Sequence, residues 1–183
     1  MRIISGSSRG RKLIPIKGDR IRPTSDRARE DIFNIIGQGI RHARVLDCFA
    51  GTGALGIEAL SRGAARALFI DIDCTVIHKN IRLCRFEDKA VVLNMDIIRS
   101  PFPHNLAMKK FDFVFLDPPY GKGYIEKILD KKQFIDLMAP DAIIIAEHGS
   151  KENLQIQVPG LDIFRQKKYS NTIISFIRQA VTE

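Results

Sequence analysis

The fold of this chain is decided by residues 45–56, which read Val45-Leu46-Asp47-Cys48-Phe49-Ala50-Gly51-Thr52-Gly53-Ala54-Leu55-Gly56. A short apolar strand ends in an acid, a Gly-x-Gly turn follows, and a helix is predicted to begin near Ala54. Gly51 and Gly53 permit positive φ and let a ligand approach the backbone closely. The start of the helix presents free N–H groups and the positive end of a dipole. The stretch therefore predicts a ligand-binding strand–turn–helix unit.

The next acid downstream fits two kinds of nucleotide cofactor. Gly51, Gly53 and Gly56 satisfy G-x-G-x-x-G, and Asp71 closes the apolar run 67–70, twenty residues after Gly51. An acid at this spacing binds ribose hydroxyls in dinucleotide-binding folds. A nicotinamide-dependent dehydrogenase is therefore one interpretation of this half of the chain.

A second motif follows the apolar run 111–116 and reads Asp117-Pro118-Pro119-Tyr120. The prolines fix φ and remove two backbone donors, so that carbonyl groups can face a ligand without competing N–H groups. The carboxylate can accept hydrogen bonds from an exocyclic amine, and Tyr120 offers a face for a ring to stack on. The motif predicts a site for a flat ring that bears an amino group.

The two motifs together favour a methyltransferase over a dehydrogenase. A carboxylate at Asp47 is unfavourable beside a pyrophosphate, and a dehydrogenase leaves residues 117–120 without a role. S-adenosylmethionine accounts for both motifs. Its ribose is expected at Asp71, its amino-acid end near Asp47 and Gly51, its adenine amine at Asp96, and the reacting amine at Asp117. Asp47 could instead cap the backbone amides of the glycine turn.

Several further stretches, together with the two motifs, resemble one known protein family. The resemblance covers nearly the whole chain and is most specific up to Tyr120. The stretches are Met1-Arg2-Ile3-Ile4-Ser5-Gly6, Arg9-Gly10-Arg11-Lys12-Leu13, Arg22-Pro23-Thr24-Ser25-Asp26-Arg27-Ala28-Arg29-Glu30, Phe33-Asn34 and residues 54–63. With the two motifs, they resemble the RsmD family of class I S-adenosylmethionine-dependent methyltransferases. Beyond Tyr120 the similarity thins to Glu147 and residues 169–172, and Ser170 stands where many relatives are expected to carry glycine.

The resemblance implies methyl transfer to the exocyclic N2 of one guanine, guanine 966, of bacterial 16S ribosomal RNA in the small ribosomal subunit. The residues expected to act on the target base are Asp117, Pro118, Pro119 and Tyr120. Those expected to bind S-adenosylmethionine are Asp47, Phe49, Gly51, Thr52, Gly53, Asp71, Ile72 and Asp96. Those expected to face RNA are Arg9, Arg11, Lys12, Arg22, Arg27 and Arg29, although Arg22 or Arg29 could form a salt bridge within the fold.

Charge agrees with a nucleic-acid partner. The chain has 183 residues and a net charge of +8, and residues 1–44 hold 11 Lys and Arg against 4 acids. An excess of cations concentrated in one quarter of the chain is typical of a surface that contacts phosphates. The basic segment, residues 1–43, is therefore expected to be an RNA-contacting extension, and residues 44–183 the methyltransferase domain.

The cysteines, the histidines and the distribution of apolar residues indicate whether a metal is expected and in which compartment the protein is expected to act. Cys48, Cys74 and Cys84 form no Cys-x-x-Cys pair and are expected to be buried hydrophobes in a reducing compartment. The four histidines lack metal-ligand spacing, so that no metal is expected. Without an apolar leader or a membrane-length apolar run, the protein is expected to be cytoplasmic, with no membrane partner, and a monomer by default.

Alternating patterns predict an α/β fold. Residues 1–16 suggest a small hairpin outside the main sheet, 17–23 a polar connector, and Thr24 an N-cap for a helix that ends at Gly37. The predicted strands are 44–48, 67–71, 91–94, 111–117 and 142–147, and the predicted helices are 54–62, 74–84 and 124–137. A hairpin around Ser170-Asn171 should complete a Rossmann-like, seven-stranded sheet with an antiparallel end. Its ligand should lie at the carboxyl ends of the strands, while Glu147 is expected to be structural.

Two alternatives stay open from sequence. One is methylation of a different amine, such as adenine N6 of DNA or of another RNA. The other is an RNA-binding assembly factor that has lost catalysis, although intact residues at Gly51–Gly53, Asp71 and Asp117 disfavour it.

Overall fold

The computed structural model describes residues 1–16, 25–103, 106 and 110–180. In this part of the chain the α-helices are α1 (Asp26–Ile36), α2 (Ala54–Ser61), α3 (Thr75–Cys84), α4 (Tyr124–Leu129) and α5 (Lys132–Ile135), and a 3-10 turn (Gly37–Ile40) follows α1. The strands are β1 (Arg44–Cys48), β2 (Arg66–Asp71), β3 (Ala90–Asn94), β4 (Phe111–Leu116), β5 (Met138–Gly149), β6 (Leu161–Tyr169) and β7 (Thr172–Gln179).

The strands form one seven-stranded sheet in the order β3-β2-β1-β4-β5-β7-β6. Strands β1 to β5 run parallel, and β7 is antiparallel to both β5 and β6. The predicted class I methyltransferase architecture, with its antiparallel terminal hairpin, is confirmed. The strand order reverses between β1 and β4, and ligands of open α/β sheets bind at this kind of switch point.

Alternate side chains of the central strands fill two separate hydrophobic cores. In β4, Phe113 and Phe115 belong to one core, while Val114 and Leu116 belong to the other. This division follows from the two-residue period of a strand, which points successive side chains to opposite faces of the sheet. Helices α1, α2 and α3 cover the first core, and α4 and α5 cover the second. The molecule therefore has three layers, with the sheet in the middle.

The predicted helix over residues 124–137 is wrong in its length. The chain forms two short helices instead, α4 and α5, and Lys131 between them has the extended ψ of 106°. The apolar positions Ile125, Ile128 and Phe134 are nevertheless all buried in the second core. The hydrophobic pattern therefore located the buried face correctly but did not reveal the break.

Helix α1 begins one residue later than the predicted cap allows. Its N-cap is Ser25, whose hydroxyl accepts a hydrogen bond of 3.1 Å from the backbone N–H of Ala28. The prediction that Thr24 is the N-cap is therefore wrong, and Thr24 itself, like the predicted connector 17–23, lies outside the described residues. Gly37 ends the helix with a φ of 62°, as predicted.

The predicted N-terminal hairpin reduces to one antiparallel bridge, between Arg2 and Lys12, outside the main sheet. This segment is anchored to α2, because the carboxylate of Glu58 accepts hydrogen bonds from the backbone N–H groups of Ile4 (2.7 Å) and Ser5 (3.0 Å). Ile3 is fully buried in the first core. Residues 1–16 thus pack on the methyltransferase core, and their role as an RNA-contacting extension stays a prediction.

Candidate active site

The site is built where the carboxyl ends of β1, β2 and β4 meet. Cys48 of β1 pairs with Ile70 of β2 on one side and with Leu116 of β4 on the other. The glycine turn after β1 and the segment after β4 therefore begin side by side at the switch point. This register brings the two motifs together, although about sixty residues of sequence separate them.

The turn between β1 and α2 has the left-handed backbone that its glycines permit. Gly51 and Gly53 have φ of 56° and 78°, and Phe49 also has a positive φ of 57°. The backbone N–H of Gly51 donates to Oδ2 of Asp71 at 2.8 Å, so the acid at the end of β2 fixes the turn. The turn leads into α2, whose first N–H groups lack helical carbonyl partners and so suit an anionic group.

Gly56 serves close packing between α2 and the sheet. A Cβ atom at this position would lie 2.3 Å from Cε1 of Phe69, well inside contact distance. The third glycine of G-x-G-x-x-G therefore lets the helix approach β2, as in nucleotide-binding folds generally.

The structure places Asp47 in the interior, at the first turn of α2. The residue is 2% exposed, and its Oδ2 accepts a hydrogen bond of 2.8 Å from the N–H of Gly56. Burial raises the pKa of this carboxyl to about 8, and the nearby charge of Asp71 adds to the rise. Asp47 therefore caps a backbone amide at the start of α2 rather than the amides of the glycine turn, and its contact with the cofactor stays a prediction.

Asp71 and Ile72 lie together at the end of β2. Asp71 is half-buried and accepts backbone hydrogen bonds from Gly51 and, through Oδ1, from Asp73 at 3.1 Å. Ile72 is 71% exposed, so its apolar surface is open to a ligand. A carboxylate beside an exposed apolar surface suits a ribose that carries a flat base.

Asp96 lies beyond the end of β3 rather than in the strand. Its Oδ1 accepts hydrogen bonds from the backbone N–H groups of Ile98 (2.9 Å) and Arg99 (3.1 Å), so that it caps the turn that follows. The structure supplies a local role for this carboxylate, and its predicted contact with an adenine amine stays a prediction.

The Asp117–Tyr120 motif forms the start of the loop after β4. Pro118 is buried, whereas Pro119 is exposed and Tyr120 is 39% exposed. The hydroxyl of Tyr120 donates to Oε1 of Glu147 at 2.7 Å and lies 3.1 Å from Oγ1 of Thr172. Burial raises the pKa of Tyr120 well above its ordinary value, and Glu147 adds to the rise. The ring is thus anchored at its hydroxyl while part of its surface stays open.

The described basic residues of the N-terminal segment are mostly on the surface. Arg9, Arg11, Lys12 and Arg27 are exposed, and Nη1 of Arg11 donates to the carbonyl of Leu83. Arg22 lies outside the described residues. The exposed positions suit phosphate contacts, which stay predictions.

Arg29 corrects the predicted RNA surface. Its side chain is fully buried, and its Nη2 donates to Oδ1 of Asp26 and to the carbonyl of Arg2, both at 2.7 Å. A guanidinium with no exposed surface does not contact RNA, so that prediction is wrong. The alternative from sequence, a salt bridge within the fold, is confirmed.

Sequence reasoning missed the glutamates that hold the loop after β4. The sequence predicts only a structural role for Glu147 and no role for Glu152. The signal for Glu147 was available, because it is an acid near the carboxyl end of a parallel strand, as Asp71 and Asp117 are. Its contact with Tyr120 depends on how far β5 extends past β4, which no local pattern contains.

The described part of the chain contains neither a candidate metal site nor a candidate membrane-spanning helix. Its His, Cys, Asp and Glu side chains form no group of three or more that could hold a metal ion. None of its helices combines the length and apolar character of a membrane span. Cys48, Cys74 and Cys84 are free and buried, as predicted.

The residues at the switch point fit S-adenosylmethionine. Asp71 can accept hydrogen bonds from ribose hydroxyls, Ile72 presents an apolar surface for adenine, and the glycine turn gives close backbone approach. The start of α2 suits the carboxylate of the amino-acid end. Each part of the cofactor thus has a group of suitable chemistry nearby.

The fold and this site define a class I S-adenosylmethionine-dependent methyltransferase. Residues 1–178 match the family model described as conserved hypothetical protein 95. The chain belongs to this family, the RsmD family that its motifs resemble.

Individual relatives are similar to this chain over most of its length. Ribosomal RNA small subunit methyltransferase D of Escherichia coli strain K12 is 36% identical over 173 residues, which cover 91% of this chain and 84% of that protein. YlbH of Bacillus subtilis strain 168 is 36% identical over 184 residues, covering 98% and 99% of the two chains. The solved structure of the Escherichia coli protein yhhF superposes with a TM-score of 0.82 at 33% identity, covering 100% of this chain and 99% of that one.

Proposed function

We propose that this protein transfers a methyl group from S-adenosylmethionine to the exocyclic N2 of guanine 966 of 16S ribosomal RNA in the small ribosomal subunit. The observation that carries the proposal is the position of Asp117–Tyr120 at the switch point, beside the glycine turn of the cofactor site. A relative named for methylation of small-subunit ribosomal RNA supports the substrate class. The motif itself supports an amine on a flat ring as the acceptor.

The chain's own residues would mainly hold the acceptor. The lone pair of guanine N2 is delocalised into the ring, which makes this nitrogen a weak nucleophile. The carboxylate of Asp117 and the carbonyl of Pro118, by accepting the two amine hydrogens, would hold the nitrogen and favour its pyramidal, more nucleophilic form. When bound, S-adenosylmethionine supplies an already activated methyl group. The protein's contribution is then alignment and exclusion of water, and the proton can leave after transfer without a strong base.

Tyr120 would stack on the target guanine. Its ring is partly exposed next to Asp117, and stacking of a base on an aromatic side chain contributes roughly 1–3 kcal/mol. A guanine inside a helix would have to be flipped out of its stack to reach this ring.

The basic N-terminal segment would contact the RNA around the target. Arg9, Arg11, Lys12, Arg22 and Arg27 are the proposed phosphate contacts, and Arg29 is excluded by its burial. The protein would act as a monomer in the cytoplasm, where small subunits are assembled.

The test is a labelling experiment. Purified protein is incubated with methyl-labelled S-adenosylmethionine and small subunits from cells that lack the activity, and the label is mapped by nucleoside analysis. Label as N2-methylguanosine at the single 16S position is the expected result. Label as N6-methyladenosine, or only in another nucleic acid, would overturn the proposed substrate. Absence of cofactor binding would overturn catalysis and favour an RNA-binding assembly factor.

A further inference from the structure

The sheet register places the end of β5 against the loop that begins at Asp117, here called the target-base loop after its proposed role. The last pair between β4 and β5 joins Leu116 to Ala146, but β5 continues to Gly149. On its other side, this extension stays paired with β7, from Glu147 opposite Ile174 to Gly149 opposite Thr172. Residues 147–149 are therefore held in place by β7 on one side, and on the other side they face the loop that begins at Asp117.

Two side chains at the end of β5 and the start of β7 hold the hydroxyl of Tyr120. Oε1 of Glu147, a residue only 7% exposed, accepts the hydrogen bond of 2.7 Å from the hydroxyl, which also lies 3.1 Å from Oγ1 of Thr172. A Cβ atom added to Gly149 would lie 3.5 Å from Cδ2 of the ring, so little more than the width of a methyl group separates the ring from the backbone of β5. These polar contacts fix the far end of the side chain and so restrict movement of the ring.

Glu152 holds the backbone directly after Tyr120. Its Oε1 accepts from the N–H of Gly121, and its Oε2 accepts from the N–H of Gly149, both at 2.5 Å. The N–H of Glu152 in turn donates to the carbonyl of Gly149 at 2.9 Å. One carboxylate thus ties the target-base loop to the end of β5.

The loop needs such support because its own sequence is permissive. Gly121 and Gly123 both adopt positive φ, 72° and 60°, and glycine loses the most conformational entropy when it is ordered. Burying a carboxylate such as Glu147 is costly unless hydrogen bonds compensate. The hydroxyl of Tyr120 supplies one such hydrogen bond, which couples the buried carboxylate to the ring.

We propose that Glu147 and Glu152 are positioning residues for methyl transfer, which fix the ring of Tyr120 and the backbone of Gly121 against the end of β5. They act through Tyr120 and do not touch the reacting atoms. The inference rests on the proposed function, because it gives Tyr120 the task of stacking on the base. Misplacement of a reacting group by about 1 Å can lower the rate roughly 100-fold.

Kinetics provide the first test. Tyr120→Phe and Glu147→Ala should each lower kcat at saturating RNA by roughly 10- to 100-fold, and the double variant should be no slower than the slower single variant. Glu147→Gln, whose amide oxygen can still accept from the hydroxyl, should recover most of the activity. Binding of S-adenosylmethionine should be unchanged in all of them. Glu87→Gln, an exposed glutamate in the turn before β3, is the matched control and should behave as wild type.

Fluorine NMR provides a test that does not depend on activity. The chain has three tyrosines and no tryptophan, so that 3-fluorotyrosine labelling gives three resonances, and Tyr120→Phe identifies one of them. Glu147→Ala and Glu152→Ala should each move the Tyr120 resonance towards its position in unfolded protein. The resonances of Tyr124 and Tyr169 should stay well away from their positions in unfolded protein, which shows that the variants remain folded.

The kinetic and NMR results can contradict the positioning role without contradicting the proposed function, and the reverse. A Tyr120 resonance that does not move in either variant, or additive losses of kcat in the double variant, would overturn the positioning role. If the resonance moves while the wild-type protein labels no ribosomal RNA, the positioning role stands and the proposed substrate fails.

Discussion

The carboxyl group of Asp47 accepts a hydrogen bond of 2.8 Å from the backbone N–H of Gly56 and is only 2% exposed. This contact satisfies one of the free N–H groups in the first turn of α2, and it keeps an ionisable group in the interior. The same pair therefore joins the first turn of α2 to β1 and makes the protein's stability sensitive to pH.

Asp47→Asn should become more stable relative to wild type as the pH rises. An unfolded aspartate loses its proton near pH 4, whereas burial raises the pKa of folded Asp47 to about 8. Between these values the folded state binds one more proton than the unfolded state, so that this group lowers the free energy of unfolding as pH increases, by at most about 1.4 kcal/mol per pH unit. Asparagine does not titrate, and its side-chain oxygen can still accept from Gly56.

The measurement is urea denaturation of both proteins from pH 4.5 to 8.5, taken as the difference between them. That difference should grow in favour of the variant up to about pH 8 and then level off. A difference that is constant across the range would mean that Asp47 titrates normally in the folded protein.

Gly56→Ala should destabilise the fold. The added methyl group would lie 2.3 Å from Cε1 of Phe69 and 3.0 Å from Oδ2 of Asp47, so α2 must move away from the sheet. Overpacking of this kind costs about 1–3 kcal/mol. Gly39→Ala is the matched control, since its methyl group would lie 3.4 Å from Cζ of Phe113. Equal denaturation midpoints for the two variants would show that α2 is not held as closely to β2 as the structure indicates.

Asp117→Ala should abolish methyl transfer while it leaves cofactor binding intact. Removing a positioned group that acts on the reacting centre typically costs 100-fold or more, roughly 3 kcal/mol. Asp117→Asn should retain part of the activity, because an amide oxygen can still accept one amine hydrogen. The measurements are labelled methyl transfer and calorimetric titration with S-adenosylmethionine.

A matched control for this variant lies at the other end of the same strand. Oδ2 of Asp112 accepts from the backbone N–H of Arg44 at 2.7 Å, at the edge of the sheet opposite the site. Asp112→Ala should therefore affect stability and not transfer. If Asp117→Ala loses cofactor binding together with transfer, Asp117 is a structural residue and its proposed role is wrong.

The sequence predicted the strands and the strand ends well because both depend on local patterns. A buried parallel strand is a short apolar run, and Asp71 and Asp117 follow such runs directly. The parallel arrangement then brings their carboxyl ends to one edge. These simple rules predicted the seven-stranded architecture and the edge of the sheet where the two motifs meet.

The predictions failed at positions where contacts between residues distant in the sequence determine the local structure. Arginine is usually a surface residue, so the sequence predicts that Arg29 is exposed. In the structure Arg29 lies on the buried face of α1, where Asp26 and the carbonyl of Arg2 accept its hydrogen bonds. Periodicity predicted one helix over residues 124–137 because its apolar positions survive the break at Lys131. The contact between Glu147 and Tyr120 follows from the pairing of β5 with β7, which only the complete sheet determines.

Glu58→Ala should release the N-terminal segment from the core. Glu58 is fully buried, and its carboxylate accepts hydrogen bonds from Ile4 and Ser5 and from Nε of Arg62 at 2.7 Å. Removing one partner of a buried ion pair typically costs about 3–5 kcal/mol, because the remaining polar groups lose their compensation. Part of this cost should appear as local opening of residues 1–13 rather than as global unfolding.

Trypsin measures that local opening directly. Arg9, Arg11 and Lys12 are cleavage sites in the segment, so Glu58→Ala should be cut there much faster than wild type under conditions where both proteins remain folded. Glu126→Ala, on α4 at the other face of the sheet, is the control and should be cut at the wild-type rate. Because these cations are the proposed RNA contacts, Glu58→Ala should also bind small subunits more weakly while it binds S-adenosylmethionine normally. Faster cleavage with unchanged subunit binding would show that the N-terminal segment does not form the RNA surface.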